Sequence, residues 1–372
     1  MSGLYLHIPF CRKRCTYCDF HFSTTFENYR TNLVNALAQE LSLRAKELNL
    51  PIQTIYFGGG TPSILNFSEL DLLFNTIHAH YPTAPDCEIT FEVNPEDINE
   101  ANLLYWKGLG INRLSIGLQT FSDEDLRWMN RAHLVNDGLK GIELAQHCGF
   151  DNISVDLIYG LPGQSLAAWD ASLQAVFEVG VQHLSAYCLT IEPKTALNHL
   201  VRQKKLQPAD EVLQSEQFLW LVQKSRAHGF EQYEISNFGQ AGFHSRHNSS
   251  YWKFQPYLGI GPSAHSFDGK VRRWNVRNNT QYTNQVGKND KWFETEHLSA
   301  NERHNEQILL GLRTIWGLDV STLATDWTPK ESAQIAEFAR LNWLTISNEK
   351  IVLTEQGKLH ADGIAAALFR VD

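Results

Sequence analysis

The chain is short of positive charge, of cysteine and of long apolar runs, and each shortage removes a class of function. Its 372 residues hold 32 Lys and Arg against 41 Asp and Glu, a formal net charge of −9. That balance argues against broad binding to nucleic acid or to an anionic bilayer, although a local basic pocket stays open. Nothing approaches the roughly 18 consecutive apolar residues of a membrane span; the densest late run is Ile364 to Phe369. The opening MSGLYLHIPF has no basic stretch ahead of its apolar residues and no small-residue cleavage site. It does not read as a signal peptide, so a cytoplasmic location is expected, with peripheral membrane contact left open. No low-complexity tract or significant internal repeat is present. Of six cysteines, Cys87, Cys148 and Cys188 stand singly among apolar residues, the usual habit of buried, reduced thiols in a reducing compartment.

What is present is a β/α rhythm, in a chain long enough for one main domain and a smaller one. Apolar runs at Leu4–His7, Thr54–Phe57, Glu88–Val93, Arg113–Gly117, Ile153–Tyr159 and His183–Leu189 are bounded by Gly, Pro or Asn and read as strands. Between them, Tyr29–Glu47, Ser68–His80, Glu100–Gly108 and Asp137–Cys148 carry apolar residues at helical spacing. Crossovers of that length join parallel strands. An α/β class with six parallel strands follows, and periodicity leaves open whether the sheet is flat or rolled into an incomplete barrel. In either form ligands gather at the C-terminal ends of the strands.

After about residue 205 the pattern changes to a helix at Ala209–Ala227, then an aromatic and glycine-rich region at Glu231–Phe267, then a polar stretch with Asn278, Asn279 and Asn289. The expected division is a core over 1–235, an irregular connecting region over 236–298 and a helical, winged-helix-like domain over 299–372. Within that domain a pair of helical patterns, Glu302–Ile315 and Pro329–Leu341, precedes LTISNEKIVLT, which alternates around Asn348 as a hairpin does. Winged helices often read DNA, but residues 301–372 hold seven Lys and Arg against ten Asp and Glu. A duplex binder needs a net positive face, so no nucleic-acid partner is expected.

The chemistry concentrates in HIPFCRKRCTYCDF, where Cys11, Cys15 and Cys18 are spaced C-x-x-x-C-x-x-C. Three thiolates on a short loop can converge on one face of an iron–sulfur cube, whereas disulfide pairing would leave an odd thiol and a strained loop. One iron then has no protein ligand and is free to coordinate a small molecule. A zinc loop or three ordinary buried thiols are the alternatives, but structural zinc usually takes four closing ligands and no fourth cysteine lies nearby. Gly58-Gly59-Gly60-Thr61-Pro62 directly follows the second strand. It is either a tight turn or a place where a ligand meets bare backbone, and it lacks the Lys-Ser/Thr ending of a P-loop. Glu92 and Gln119 end the third and fourth strands, Asp156 sits in the fifth and Arg131 lies in the loop NRAH. Polar groups at successive strand ends point to a shared pocket.

The cysteine motif followed by GGGTP resembles the radical S-adenosylmethionine (SAM) enzymes, whose open iron binds the amine and carboxylate of SAM. YLHIPFC, FGGGTP, FEVNPE, LSIGLQT and VDLIYGLPGQ, in that order, look like the anaerobic coproporphyrinogen III oxidase family, a resemblance that covers most of the chain. It implies a [4Fe–4S] cluster on Cys11, Cys15 and Cys18, with Tyr5 flanking it and touching SAM and Tyr17 beside the adenine. Gly59, Gly60 and Thr61 would hold the methionine portion, and Glu92, Gln119, Arg131 and Asp156 would complete the SAM region. Two departures separate the chain from the oxidases. They carry another cysteine two positions after the third ligand, where Phe20 stands here, and a substantial segment ahead of the cluster, where Cys11 leaves ten residues.

The short start, the CDF ending and His247-Asn248-Ser249-Ser250-Tyr251-Trp252 are similar to the HemW-type haem chaperones within that family. This implies haem as cargo, an acceptor protein on or off a membrane, and leaves a homodimer open. Imidazole is a common axial haem ligand and aromatic rings offer flat apolar faces, so His247, Tyr251 and Trp252 are the expected haem residues. His265, His133 and Cys188 are weaker candidates, and Arg246, Arg272 and Arg273 are near in sequence to meet the haem carboxylates. Whether the chain is an enzyme is left open. A radical SAM catalyst acting on a porphyrin and a non-catalytic scaffold that keeps the fold are the rival readings.

Overall fold

The computed structural model describes residues 3–48, 51–289 and 291–371. The first half runs β1 (Gly3–Ile8), α1 (Arg30–Leu43), β2 (Ile52–Gly59), α2 (Phe67–His80), β3 (Thr83–Val93) and α3 (Glu100–Gly108). It continues with β4 (Arg113–Gln119), α4 (Asp123–Trp128), α5 (Val135–His147), β5 (Ile153–Tyr159), α6 (Leu166–Val179) and β6 (His183–Cys188). Neighbouring strands from β1 to β6 pair in parallel. All six expected strands form.

Side chains alternate across a strand, and here the alternation divides apolar from polar. Ile55, Phe57, Phe91, Leu114, Ile116 and Val155 are buried in the main hydrophobic core. The residues between them, Tyr56, Thr90, Glu92, Ser115 and Asp156, line a common cavity instead. Pairing keeps that polar face in register, with Tyr56 opposite Thr90, Glu92 opposite Ser115 and Asp156 opposite Ser185. The ends of this six-stranded unit take different partners: β1 pairs with a later strand in parallel and β6 with another in antiparallel fashion. The strands therefore surround a cavity without closing on each other, which is an incomplete barrel.

Beyond β6 lie α7 (Ala196–Arg202), α8 (Glu211–Ala227), β7 (Glu231–Gln232), β8 (Asn237–Gly239), α9 (Arg246–Trp252), β9 (Tyr257–Ile260), β10 (His265–Phe267), β11 (Val271–Asn275), α10 (Asn279–Gln285) and β12 (Phe293–His297). Residues 236–298, expected as an irregular connection, instead extend the main sheet on both sides, giving the order β12-β11-β10-β9-β1-β2-β3-β4-β5-β6-β8-β7. The polar stretch is not a linker either. Asn278 caps α10 by accepting from the Gln281 amide, and Asn279 is buried.

The fully buried Glu40 of α1 shows how firmly this segment is attached. Its carboxylate accepts from Arg44 Nη1 at 3.0 Å, Asn275 Nδ2 at 2.8 Å, Tyr282 Oη at 2.6 Å and the Gly261 amide at 2.8 Å. A buried charge is tolerated when paired and fully hydrogen-bonded, and the last three partners come from β11, α10 and the turn after β9.

The C-terminal domain comprises α11 (Ala300–Leu312), β13 (Leu318–Asp319), α12 (Pro329–Arg340), β14 (Leu344–Ser347), β15 (Lys350–Leu353), α13 (Glu355–Lys358) and α14 (Ala361–Ala367). Its three strands form a separate sheet, β13-β15-β14, over a second core that includes Ile308, Leu312, Leu344, Ile351 and Ile364. The expected hairpin turns at Asn348 and Glu349, with φ of 49° and 62°, the left-handed pair that matches strand twist in a two-residue loop. Among the described residues no helix is long and apolar enough to cross a membrane.

Candidate cofactor site

The three cysteines lie on the loop after β1, which is fastened at several points. The Cys11 amide donates to the Ser23 carbonyl at 3.1 Å and the Ser23 amide to Pro9 at 2.9 Å. Further along, the Thr16 amide donates to Met129, and Asn130 Nδ2 to the Arg14 carbonyl. The GGGTP turn supports the loop from below. Gly60 donates its amide to the Ile8 carbonyl at 2.8 Å, and a Cβ there would stand 2.6 Å from the Phe10 carbonyl oxygen. Gly59 adopts a φ of 107°, a conformation glycine alone reaches without strain. Packing against β1 and the cysteine loop thus already requires these glycines.

Cys11, Cys15 and Cys18 are free thiols that line one cavity of about 400 Å³. Cys11 Sγ accepts from Thr61 Oγ1 at 3.5 Å, and Cys15 Sγ accepts from Arg131 Nη1 at 3.5 Å. Burial pushes the Cys11 thiol up to about 12 and the Cys18 thiol up to about 11, so a metal has to displace those protons. Four-coordinate zinc would draw its sulfurs to within about 3.8 Å of each other, given Zn–S bonds near 2.3 Å. Among the described residues no group of three or more His, Cys, Asp or Glu side chains is arranged to hold a single metal ion. A cube spreads three thiolates over three irons and needs no fourth protein ligand.

The sequence-derived polar residues meet in the same cavity. Tyr17, Gly59, Gly60, Thr61, Glu92, Gln119, Arg131 and Asp156 all line it. Gln119 is presented by a bulge: the pairing of β4 with β5 shifts register between Gly117 and Gln119, and Gln119 has a φ of 74°. Bulges at strand ends re-aim side chains in this way. Arg131 donates through Nη2 to Asn94 Oδ1 at 2.8 Å and to the Gly117 carbonyl at 2.7 Å. Its buried Nε has no partner among the described residues.

Two buried carboxyls complete the floor. Burial raises Glu92 to about 7, offset in part by the 2.8 Å hydrogen bond from Tyr56 Oη, with Asp156 adding to the rise. Burial likewise raises Asp156 to about 6 against hydrogen bonds from Ser185 and Ser115. Neither takes part in an ion pair among the described residues. Free thiols, an orphaned guanidinium N–H and two unpaired carboxyls form a donor set that fits an iron–sulfur cluster with a cationic, hydroxyl-bearing ligand beside it.

Several residues fall elsewhere. Tyr5 does not line this cavity. It lines a second, adjoining one of about 640 Å³ together with His7, donating to His7 Nδ1 at 3.1 Å. His247, expected to offer its imidazole to haem, is buried with both ring nitrogens engaged, Nδ1 with Thr54 Oγ1 at 2.8 Å and Nε2 with Tyr251 Oη at 2.7 Å. Desolvation lowers it to about 3. These bonds tie α9 to β2, and ligation would have to break one of them. Tyr251 lines the second cavity, but Trp252 lies under Arg313, 5.7 Å from the guanidinium carbon to the ring centroid.

His133 is buried behind the site against the Leu118 carbonyl, while Cys188 reaches the first cavity and His265 the second. Of the three arginines, Arg272 lines the second cavity, Arg246 pairs with Asp86 and Arg273 lies over Phe293. Sequence reasoning missed Tyr56, Asn94, Ser115, Ser185 and Tyr187. Their signal was the alternation of polar residues along one face of β2 to β6.

Comparison with known proteins agrees with this geometry. The family model of the Radical SAM superfamily matches residues 5–176, and that of the HemN C-terminal domain matches residues 298–360. The chain is 33% identical to "Heme chaperone HemW" of Bacillus subtilis, over 99% of each chain. To the protein of the same name from Mycobacterium tuberculosis it is 34% identical, over 98% of this chain and 94% of the relative. Among solved structures, coproporphyrinogen III oxidase (HemN) from Escherichia coli, described as a radical SAM enzyme, superposes with a TM-score of 0.85 at 23% identity, over 99% of this chain and 90% of that one. The fold is a radical SAM barrel followed by a C-terminal domain.

Proposed function

Since the chain belongs to the HemW family of radical SAM proteins, we propose that it is a haem chaperone that carries a [4Fe–4S] cluster and SAM and passes haem to an acceptor protein. The observation that carries the cofactor reading is the meeting of three free cysteines with Gly59, Gly60, Thr61, Glu92, Gln119, Arg131 and Asp156 around one cavity. Cys11, Cys15 and Cys18 are the proposed cluster ligands. When bound, the cluster and SAM together supply one-electron chemistry at the open iron.

The chain's own residues bind, orient and shield. Thr61 and Arg131 direct hydrogen bonds at the Cys11 and Cys15 sulfurs, which would stabilise negative charge on them when they hold a cluster. Arg131 is itself fixed by Asn94 and the Gly117 carbonyl, so its position is set before any ligand arrives. A cationic ligand sharing the cavity would favour the ionised forms of Glu92 and Asp156, because its charge offsets the desolvation that raises both. Tyr17 packs beside Met129, Ile158 and Leu161 at the cavity's edge and offers a flat face to a heterocycle.

The haem reading is supported by the relatives, which are named as heme chaperones, and by Phe20, which stands at the cavity edge where the oxidases carry a further cysteine. The test is anaerobic reconstitution with iron and sulfide, then haem titration with and without SAM. Haem uptake and release to an acceptor without change in porphyrin mass is the expected result. Absence of haem binding overturns the chaperone reading, and formation of 5′-deoxyadenosine with an altered porphyrin mass would replace it with an enzyme acting on that ring.

A further inference from the structure

The second cavity adjoins the first, with Asp19 and Phe20 lining both, and is walled by aromatic rings from α9, β9 and β10 and bordered by His21, three residues after Cys18. At about 640 Å³ it is within the range of roughly 300–1,000 Å³ typical of ligand pockets. Its wall is stiff. Tyr251 and Tyr257 meet edge to face at 4.5 Å, as do Phe254 and Phe267 at 4.6 Å. Two non-glycine residues lining it, Phe254 and Ser263, have φ of 55° and 65°, and backbone strain of this kind collects where a ligand is clamped.

His21 is held in the manner of a metal-binding imidazole. Its Nε2 lies 2.7 Å from Asn279 Oδ1, a carbonyl oxygen that can only accept, so Nε2 carries the proton. The amide is oriented by its other end, because Asn279 Nδ2 donates to Tyr29 Oη at 3.2 Å. Nδ1 therefore keeps its lone pair, and it has no hydrogen-bond partner among the described residues. Ligating histidines usually donate their other N–H to a carbonyl, which fixes tautomer and orientation.

The other histidines are less suited. His7 is engaged at both nitrogens, by Tyr5 Oη and the His21 carbonyl, and His265, at the exposed rim, stacks against Trp274. Charge at the cavity is similarly arranged. Arg272 is taken by Glu306 and Glu296, whereas Arg277, whose guanidinium touches the Asp19 carbonyl, makes no ion pair with a carboxylate among the described residues. Asp19 and Glu306 are the carboxylates that line the cavity.

We infer that this second cavity is the haem site, with His21 Nδ1 as the axial iron ligand, the Tyr257, Phe254 and Phe267 rings against the macrocycle, and Arg277 at the rim pairing with a propionate. The inference rests on the haem-chaperone reading and adds where the cargo sits and what holds it. Haem placed there lies beside the segment that ends the cluster loop.

The full-length chain, reconstituted anaerobically, is titrated with haem while absorption and electron paramagnetic resonance report the axial ligand. Wild type should show a histidine-ligated iron. His21→Ala should lose that signature and weaken binding by about tenfold or more, and His21→Gly should regain it on addition of free imidazole. Arg277→Glu should weaken binding by about tenfold, the worth of a charge-assisted hydrogen bond, without altering the axial signature, and the gap should vanish with the dimethyl ester of haem. Should the His21 variants fail to fold, the Arg277 arm still decides. Retention of the wild-type signature in His21→Ala, its loss in His265→Ala or His247→Ala, or an Arg277 effect that persists with the ester would overturn the assignment. A wild-type chain that binds no haem would instead defeat the chaperone reading itself.

Discussion

Tyr5 and Tyr56 are partners in register across β1 and β2, and their rings pack with centroids 6.0 Å apart. Tyr5 faces the cavity with the histidines and Tyr56 faces the cavity under the cysteines. At this point the two spaces are divided by one pair of rings. Because Tyr56 also holds Glu92 by a hydrogen bond, a displacement of either ring reaches the carboxyl on the floor of the cofactor site.

The buried carboxyls make stability depend on pH. Glu92 at about 7 against 4.5, and Asp156 at about 6 against 3.8, hold protons more tightly in the folded chain than in the unfolded one. Their contribution is fully present below about pH 4 and is lost as pH rises through 6 to 7. Glu92→Gln removes one such group and should make the chain without cofactors more stable than wild type at pH 8 by roughly 3 kcal/mol. Chemical denaturation between pH 5 and 8 measures this, and parallel profiles for the two proteins would contradict it.

Each cluster cysteine should be individually required. Cys11→Ser, Cys15→Ser and Cys18→Ser are expected to lose bound iron and sulfide after reconstitution while the apo chain melts within a few degrees of wild type, since no disulfide or buried ion pair is removed. Analysis of iron and sulfide per chain checks the first point and calorimetry the second.

Glu40→Ala should be among the most damaging changes remote from either cavity. It leaves the Arg44 guanidinium buried and strips partners from Asn275, Tyr282 and the Gly261 amide. Breaking a buried pair from one side costs about 3–5 kcal/mol. Urea unfolding should show that loss, and proteolysis should cut first within residues 257–298.

Gly60→Ala brings a methyl against the Phe10 carbonyl, a backbone atom that cannot rotate away. A destabilisation of about 1–3 kcal/mol is expected, together with slower cluster incorporation, because Phe10 adjoins Cys11. Stopped-flow reconstitution compared with the wild type would detect it.

His247→Ala tests the structural role that its two hydrogen bonds give it. Two buried hydroxyls, on Thr54 and Tyr251, lose their partner, at about 1–3 kcal/mol each, while the axial signature of bound haem should persist. Denaturation midpoints and haem spectra taken on the same preparation separate the two effects.

The barrel was legible because each of its strands is a run with its own period, visible without knowledge of its neighbours. Residues 236–298 were not legible: β9 has four residues and exists because β1 offers it an edge, and Asn278 looks like linker until it is seen capping a helix. The cysteines and the polar strand residues could be found locally. His21 could not, since Asn279, the residue that orients it, is 258 positions away. The role of His247 was partly visible, because His247 and Tyr251 are four apart on a helix and can satisfy one another.

The parallel pairing of β9 with β1 also fixes an order of events. The cysteine loop emerges early in synthesis, but one edge of its strand stays bare until residue 257 has been made, and Asp19 and His21 await Arg277 and Asn279. Contacts between such distant segments of a chain form late and slowly. The loop is thus the first functional element to be translated and among the last to be locked in place.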